Sequence, residues 1–506
     1  MVGSRNFNLK FSLIVLFIIY AAFVVRAYIA IDPDFPWRVR SGNLYLESGI
    51  PKTDPFSYTM PSFPWVDHAW LQSILFAVLL GVIGKLGLSI IYATLAFAAA
   101  LIPYRIFAKN QSGKTESSWQ MSFLLILALT LLFPFSGVRV QVMSWFLFSV
   151  LVALVFQDKL WSKFSRFLPF YFLAWANLHG GVASGLMFLA AVFAVRTASK
   201  RELNLKDLAI LIASITATLI NPYGVGLWRE IFSSISDPSL RWSITEWMPG
   251  IAMMDLSLAA LLAFSIFFTV KYWKKISYEL TAASILFLAM GVLSRRHLPL
   301  WVLIAVPLIG KALGIFYDEI KIIKGAKEKL GIVAKIAFFS SIGIFIFQGI
   351  LAMADARYIS ENTFYPKDAV SYLKANPRTG EIFSDYGWGG YLILNLPEKK
   401  VFIDGRMPSW KWDTNEKSES TSAFEDYKGI LSGFFYFRQQ FAKHEINTVL
   451  LPIARGDNIY GLLGDKFVTL FRNGKEIYRY DLVKQLEKEG WIKEYEDQVA
   501  VIYSRP

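Results

Sequence analysis

Long, nearly uninterrupted apolar stretches recur along this chain, and they restrict its fold more than any other feature. An apolar run approaching ~20 residues forms a helix that satisfies its own backbone hydrogen bonds and reaches across the ~30 Å hydrocarbon layer of a bilayer. Such runs fall at 11–30, 88–107, 118–135, 140–157, 165–178, 181–198, 205–220, 254–271, 278–294, 298–316 and 332–353. They predict a polytopic α-helical membrane protein of about eleven transmembrane helices. The composition agrees. The chain is 55% hydrophobic and 18% charged, with more apolar surface than one soluble core could enclose.

The formal charge of +13 invites a nucleic-acid reading, but the Lys and Arg residues sit in short linkers between apolar runs rather than on one basic domain. No nucleic-acid partner is expected; membrane topology explains the charge. With the N-terminus in the cytoplasm, positive residues mark every inner turn, including Arg105, Lys159, Lys163, Arg196, Lys200, Lys274 and Lys275. This alternation holds when 70–83 is a short interfacial or re-entrant helix, set off from the next run by Gly84, Lys85 and Gly87. The first 30 residues lack a small-residue cleavage motif and read as an uncleaved first span. Cysteine is absent, which removes disulfides and thiolate chemistry and leaves the compartment open. The expected location is the plasma membrane.

The organisation expected is a transmembrane module over 1–354, with outer loops at 31–69 and 221–255, and a soluble extracytoplasmic α/β domain over 355–506. Within that domain, 365–376 and 424–443 read as helices, and 381–384, 391–395, 400–404, 448–451 and 499–503 as short strands.

Ionisable residues gather at the predicted outer ends of the spans. Asp32 and Asp34 follow the first span immediately, in Asp32-Pro33-Asp34-Phe35, and an acid at that low-dielectric boundary suits a general base. Capping of the exit from the first span by Asp32-Pro33, with the tryptophans forming an interfacial belt, is the competing reading. Asp67, His68, Asn177, His179 and His297 fall at the same face, with Arg139, Arg295 and Arg296. Positive-inside statistics disfavour arginine there, and its planar fork of donors matches phosphate oxygens, so a lipid phosphate is the expected ligand. Single arginines also snorkel to headgroups or pair with loop acids. The three histidines, with Asp32, Asp34 or Asp67, are residue types that suit a divalent metal, but no helical i, i+4 pairing joins them, and no cofactor is required. In the tail, Tyr386 and Trp388 in Ser384-Asp385-Tyr386-Gly387-Trp388-Gly389-Gly390-Tyr391 offer faces for a sugar, with Asp404 and Arg406 nearby; ordinary turn packing accounts for them equally.

Taken together, Asp32-Pro33-Asp34-Phe35, Leu46-Glu47-Ser48-Gly49, Trp65-Val66-Asp67-His68, Trp175-Ala176-Asn177-Leu178-His179-Gly180, Asn221-Pro222-Tyr223-Gly224, Arg295-Arg296-His297 and Asp404-Gly405-Arg406 resemble the GT-C superfamily of polyprenyl-phosphate-dependent membrane glycosyltransferases. Protein O-mannosyltransferases and lipid A aminoarabinose transferases are members, and the resemblance covers nearly the whole chain. It implies an inverting transfer from a polyprenyl-phosphate-linked sugar to a glycan, lipid or protein hydroxyl, among membrane lipids, outside the cytoplasm. By the superfamily's pattern the base falls at Asp34, with Asp32 second. Mannosyltransferase-like members carry Asp-Glu where this chain has Asp34-Phe35. A lipid transporter or flippase, or a non-catalytic assembly partner, would use the same helices without the chemistry.

Overall fold

The computed structural model describes residues 2–111, 118–237, 244–250, 255–320, 326–413, 416, 418–432, 436–453 and 482–506. All eleven apolar runs of the sequence lie on helices. Among the described residues, five helices have the length and apolarity of a membrane crossing: Phe11–Ile29, Trp70–Arg105, Val182–Lys200, Arg295–Ile320 and Glu328–Arg357. A sixth crossing is available if Val140–Phe156 and Asp158–Leu178, bent by 105°, count as one broken span. The apolar helices Ser122–Phe135, Leu256–Tyr272 and Tyr278–Leu293 are shorter.

Packing divides the chain into two units. The helical unit comprises Met1–Ile29, Ile83–Ile231 and Ser243–Ala356. The α/β unit comprises Ala30–Val82, Phe232–Trp242 and Arg357–Pro506. The first outer loop therefore packs with the tail, whereas the sequence alone suggested a division at 354/355.

Of the five long apolar helices the most enclosed is Arg295–Ile320, along which Trp301, Val302, Ile304, Ala305, Leu308, Ile309 and Ala312 are all buried. Outer helices invert the usual amphipathic pattern. Leu13, Ile14, Phe17 and Ile18, and Ile332, Val333, Ile336, Phe339, Ile346, Phe347 and Ile350, are exposed. Rows of uncovered aliphatic and aromatic residues this long are what hydrocarbon, rather than water, stabilises. Gly84 breaks Trp70–Gln111 with φ 66° and ψ −177°, a conformation glycine reaches without steric cost, at the position where the sequence reading separated 70–83 from the following run.

The α/β unit carries a four-stranded sheet of β1 (Glu381–Ser384), β2 (Ile446–Pro452), β3 (Ile492–Glu496) and β4 (Ala500–Ser504), in the order β1-β2-β4-β3. β1 and β2 run parallel, and β4 is antiparallel to both β2 and β3. β3 escaped the sequence reading because its side chains are largely exposed and no alternation marks them. The helices Lys367–Ala375, Ala423–Ser432 and Tyr436–Lys443 fall in the two expected helical stretches, with 433–435 outside the described residues.

Two expected strands are corrected. Residues 391–395 belong to the helix Gly389–Asn395, and 400–404 form only a single bridge, Val401 with Ser57. The cause is tertiary. A Cβ on Gly389 would collide with the carbonyl of Ile403, and one on Gly390 with the carbonyl of Pro33. The glycine pair serves close approach to neighbouring backbone, where the sequence suggested a hairpin turn. The segment near Val401 is paired with the first outer loop instead: Val401 N–H donates to Phe56 O at 2.9 Å, Tyr58 N–H to Val401 O at 3.2 Å, and Thr59 Oγ1 to Phe402 O at 2.6 Å.

Candidate active site

Within the α/β unit, Asp32-Pro33-Asp34 leads into the helix Phe35–Ser48. Asp32 Oδ1 accepts the amide of Asp34 at 2.9 Å, a local turn that places Asp34 at the helix N-cap. A carboxylate there ordinarily accepts the amides of the next turn. Asp34 makes no such bond. Its Oδ1 accepts instead from the indole Nε1 of Trp37 at 3.0 Å. On the tail side, a Cβ added to Gly405 would fall on the same Oδ1.

A charged lattice supports this turn. Arg38 is buried, donates from Nη1 to Asp67 Oδ1 at 3.0 Å, and stacks on the Trp37 ring with 4.2 Å from its guanidinium carbon to the centroid. Asp67 also accepts from Tyr45 Oη at 3.1 Å, Ser73 Oγ at 2.7 Å and the Ala69 amide at 2.9 Å. Burial raises the Asp67 pKa, but Arg38, His68 and these donors outweigh it and hold the carboxyl below the usual aspartate range. Asp67, expected to touch lipid phosphate, thus spends its accepting capacity inside the protein, and His68 lies 3.4 Å from Arg38 through Nε2.

Asp404 and Arg406 make a second lattice. Arg406, with its side chain 5% exposed, bonds Asp54 at 2.5 Å and holds Asp404 in a two-pronged contact. Its guanidinium lies 5.0 to 5.8 Å from the ring centroids of Trp65, Phe56, Trp410 and Trp37. Desolvation disfavours the charge, but the two aspartates more than restore it and the guanidinium pKa is raised. Both residues work as a clasp, correcting the expectation that they contact sugar. The same holds for Trp388, which is 1% exposed and donates its ring N–H to Phe364 O at 2.8 Å, leaving no open face for a pyranose. Tyr386 is partly exposed and tilts against Phe424 and Tyr427.

The helical unit gathers the arginines. Arg139, at the N-cap of Val140–Phe156, pairs with Glu246. Arg296 stacks on Trp247 at 4.2 Å and Arg295 on Phe135 at 5.0 Å. Burial would raise the Glu246 pKa, but Arg139, Arg296 and Arg295 together hold it below the usual glutamate range. The carboxylates of Asp255 and Asp355 also act on Arg295. Sequence reasoning missed Glu246, a lone acid in the second outer loop, and Arg26. That arginine interrupts the first apolar run and donates to the carbonyls of Ser136 and Pro134. Its Nη1 comes near Gly137, beside the Arg139 side chain.

Three further residues expected at the site, His179, Asn177 and His297, lie in this unit. His179 receives Ser144 Oγ at 2.7 Å and the Gly181 amide at 3.2 Å on Nδ1, and Ser144 itself accepts from Trp175 Nε1 at 2.8 Å. A ring whose Nδ1 accepts carries its neutral-state proton on Nε2. Asn177 donates to Leu173 O and Ile220 O, both at 2.9 Å, tying two helix ends together. His297 follows the two arginines in one 3-10 turn, with Nδ1 buried and without a hydrogen-bond partner among the described residues. Among the described residues no three His, Asp or Glu side chains come together as a metal-holding group.

No protein-family model matches the sequence, and no curated protein matches it. Solved structures do. The oligosaccharyltransferase of Archaeoglobus fulgidus, in its apo form, aligns with a TM-score of 0.56 at 10% identity, over 87% of this chain and 69% of that one. ArnT from Cupriavidus metallidurans, also apo, aligns with a TM-score of 0.47 at 10% identity, over 99% of this chain and 98% of that one. At such identity a likeness is one of architecture, and it rests here on the archaeal enzyme. The chain shares the fold of that archaeal structure: apolar helices of membrane-crossing length with a small C-terminal sheet.

Proposed function

We propose that this protein transfers a sugar from a polyprenyl-phosphate-linked donor to an acceptor hydroxyl on the extracytoplasmic side of the plasma membrane, with the N-terminus cytoplasmic. The observation that carries the proposal is the set of arginines, Arg139, Arg295 and Arg296, gathered about Glu246 within the helical unit; within the α/β unit, Asp34 supplies a carboxylate at a helix entry. Asp34 takes the acceptor proton as the hydroxyl oxygen bonds to the anomeric carbon. The bond from that carbon to the phosphate oxygen breaks, and its electron pair leaves with the polyprenyl phosphate. Arginine donors stabilise the charge that grows on the leaving oxygens. Attack opposite the leaving group inverts the anomeric centre. Asp32 shapes the turn that presents Asp34 and is the second candidate base.

Enzymatic transfer is favoured over transport by where the charges lie. Arg139, Glu246 and Arg295 to His297 occupy turns and helix starts, whereas carriers place such groups in broken helices at the bilayer midplane.

The test is single-turnover transfer from farnesyl-phosphate-linked mannose, glucose, galactose and arabinose to the envelope glycan fraction, with full-length protein in nanodiscs. Asp34→Asn is expected to lower transfer by about 10²-fold or more while leaving expression and farnesyl phosphate binding intact. Undiminished transfer in Asp34→Asn would remove Asp34 as the base.

A further inference from the structure

We infer that Trp37 is a positioning residue for Asp34, its indole N–H fixing the carboxylate against the wall formed by Gly405, so that the tail helps to set the base. The inference rests on the reading of Asp34 as the base and says what holds it.

The local sequence explains the arrangement. A carboxylate at a helix N-cap is ordinarily drawn onto the amides of the second and third helical residues. Here the second helical residue is Pro36, which has no amide hydrogen, and the third is Trp37. Asp34 makes no cap bond to the backbone, and the Trp37 side chain takes Oδ1 at 3.0 Å instead. The Trp37 indole thereby holds the carboxylate, which is not turned back onto its own helix.

That side chain is fixed from several directions. Trp37 is buried, and Arg38 lies 4.2 Å from its ring centroid, itself anchored on Asp67 at 3.0 Å. Arg406 lies 5.8 Å from the ring, anchored on Asp54 and Asp404. Gly390 approaches the indole so closely that an added Cβ would sit 3.1 Å from its Cδ1. Two aspartate-locked guanidiniums and a glycine contact are more than packing a surface turn requires. They over-determine the direction of one N–H. Gly405 then closes the other side of Asp34, because any side chain there would occupy the carboxylate's place. The expected consequence is a base held in one orientation, with its ionised form favoured by a charge-assisted hydrogen bond.

The test reads the titration of Asp34 directly. Full-length protein in nanodiscs is labelled with a water-soluble carbodiimide and glycine ethyl ester from about pH 3 to about pH 8, and labelling of Asp34 and Asp32 is quantified by peptide mass spectrometry. Trp37→Phe keeps the ring but removes the donor. Its Asp34 midpoint is expected to rise by about one pH unit, with the Asp32 midpoint unmoved, and the acidic limb of kcat/KM for sugar transfer is expected to shift by the same amount. Gly405→Ala, which leaves Trp37 in place, is expected to move the Asp34 midpoint in the same direction and serves where Trp37→Phe does not fold. An Asp34 midpoint unmoved in the folded variants, with Asp34→Asn inactive, overturns the positioning role alone. Full transfer by Asp34→Asn overturns the base assignment, and this inference with it.

Discussion

Arg406 Nη1 stands 2.5 Å from Asp54 Oδ1, joining the tail to the first outer loop through an ion pair from which water is almost wholly excluded. Asp404 completes the clasp. A buried ion pair contributes little when replaced whole, but removing one partner strands the other charge at a cost of about 3–5 kcal/mol. Arg406→Met is therefore expected to lower the thermal unfolding midpoint and make the tail susceptible to limited proteolysis. Arg406→Met with Asp54→Asn and Asp404→Asn is expected to recover part of the loss. Equal stability of Arg406→Met and the parent would refute the clasp.

Gly390 gives a test of backbone approach. An added methyl would strike the Pro33 carbonyl, which sits on rigid backbone and has nowhere to go. Gly390→Ala is expected to destabilise the α/β unit by about 1–3 kcal/mol. Gly331, which has open space around it, gives the control: Gly331→Ala is expected to leave the unfolding midpoint unchanged or to raise it, as alanine favours helix.

Asp67 predicts an acid limit. Its folded pKa is depressed, so its contribution to stability is fully present above the unfolded aspartate value of ~3.9 and is lost as pH falls through the lower folded value. Asp67→Asn is expected to lower stability at neutral pH and to flatten its fall below about pH 4. An acid-unfolding curve unaltered by the substitution would contradict the Arg38–Asp67 assignment.

Glu246 sits as an anion among Arg139, Arg295 and Arg296. A phosphate that uses these arginines competes with it. Glu246→Gln is expected to bind farnesyl phosphate several-fold more tightly at low salt, and Arg296→Met about ten-fold more weakly, as isothermal titration would report. Equal affinities in all three proteins would place the phosphate elsewhere.

Glu230 has its pKa pushed up by burial to about 7. A raised acid stabilises the folded state below its unfolded value of about 4.5 and loses that contribution as pH rises through about 7. Hydrogen exchange of the helix Gly226–Ser236 is thus expected to quicken between about pH 4.5 and about pH 7, beyond the intrinsic rate change, and Glu230→Gln to abolish the dependence. Exchange that stays pH-dependent in the variant, after correction for intrinsic rates, would dissociate Glu230 from it.

Much of the fold was legible because its causes are local. An apolar run in hydrocarbon must satisfy its own backbone, and each of the eleven runs overlaps a helix, five of them, or six with the bent pair, long enough to cross among the described residues. Gly84 broke its helix where Gly-Lys-Leu-Gly suggested, and β2 and β4 fell where apolar residues clustered. Errors arose where a neighbour decided. Residues 391–395 have strand-forming types, yet Gly389 and Gly390 admit the backbones of Ile403 and Pro33, and the chain coils into a helix against them.

The candidate site divides the same way. Residue chemistry pointed to Asp34 as an acid at a boundary and to the arginines as phosphate ligands, since charge in an apolar setting is costly and marks function. Sequence spacing carries no information on which buried charge meets which. Asp67, Asp404, Arg406 and Trp388 looked like ligand contacts and proved to be enclosed supports, while Glu246 and Arg26, inconspicuous in the sequence, joined the arginine set. Partner choice among distant side chains is a tertiary decision: desolvation makes an unpaired buried charge so unfavourable that the folded chain, and not the local sequence, determines where each is neutralised.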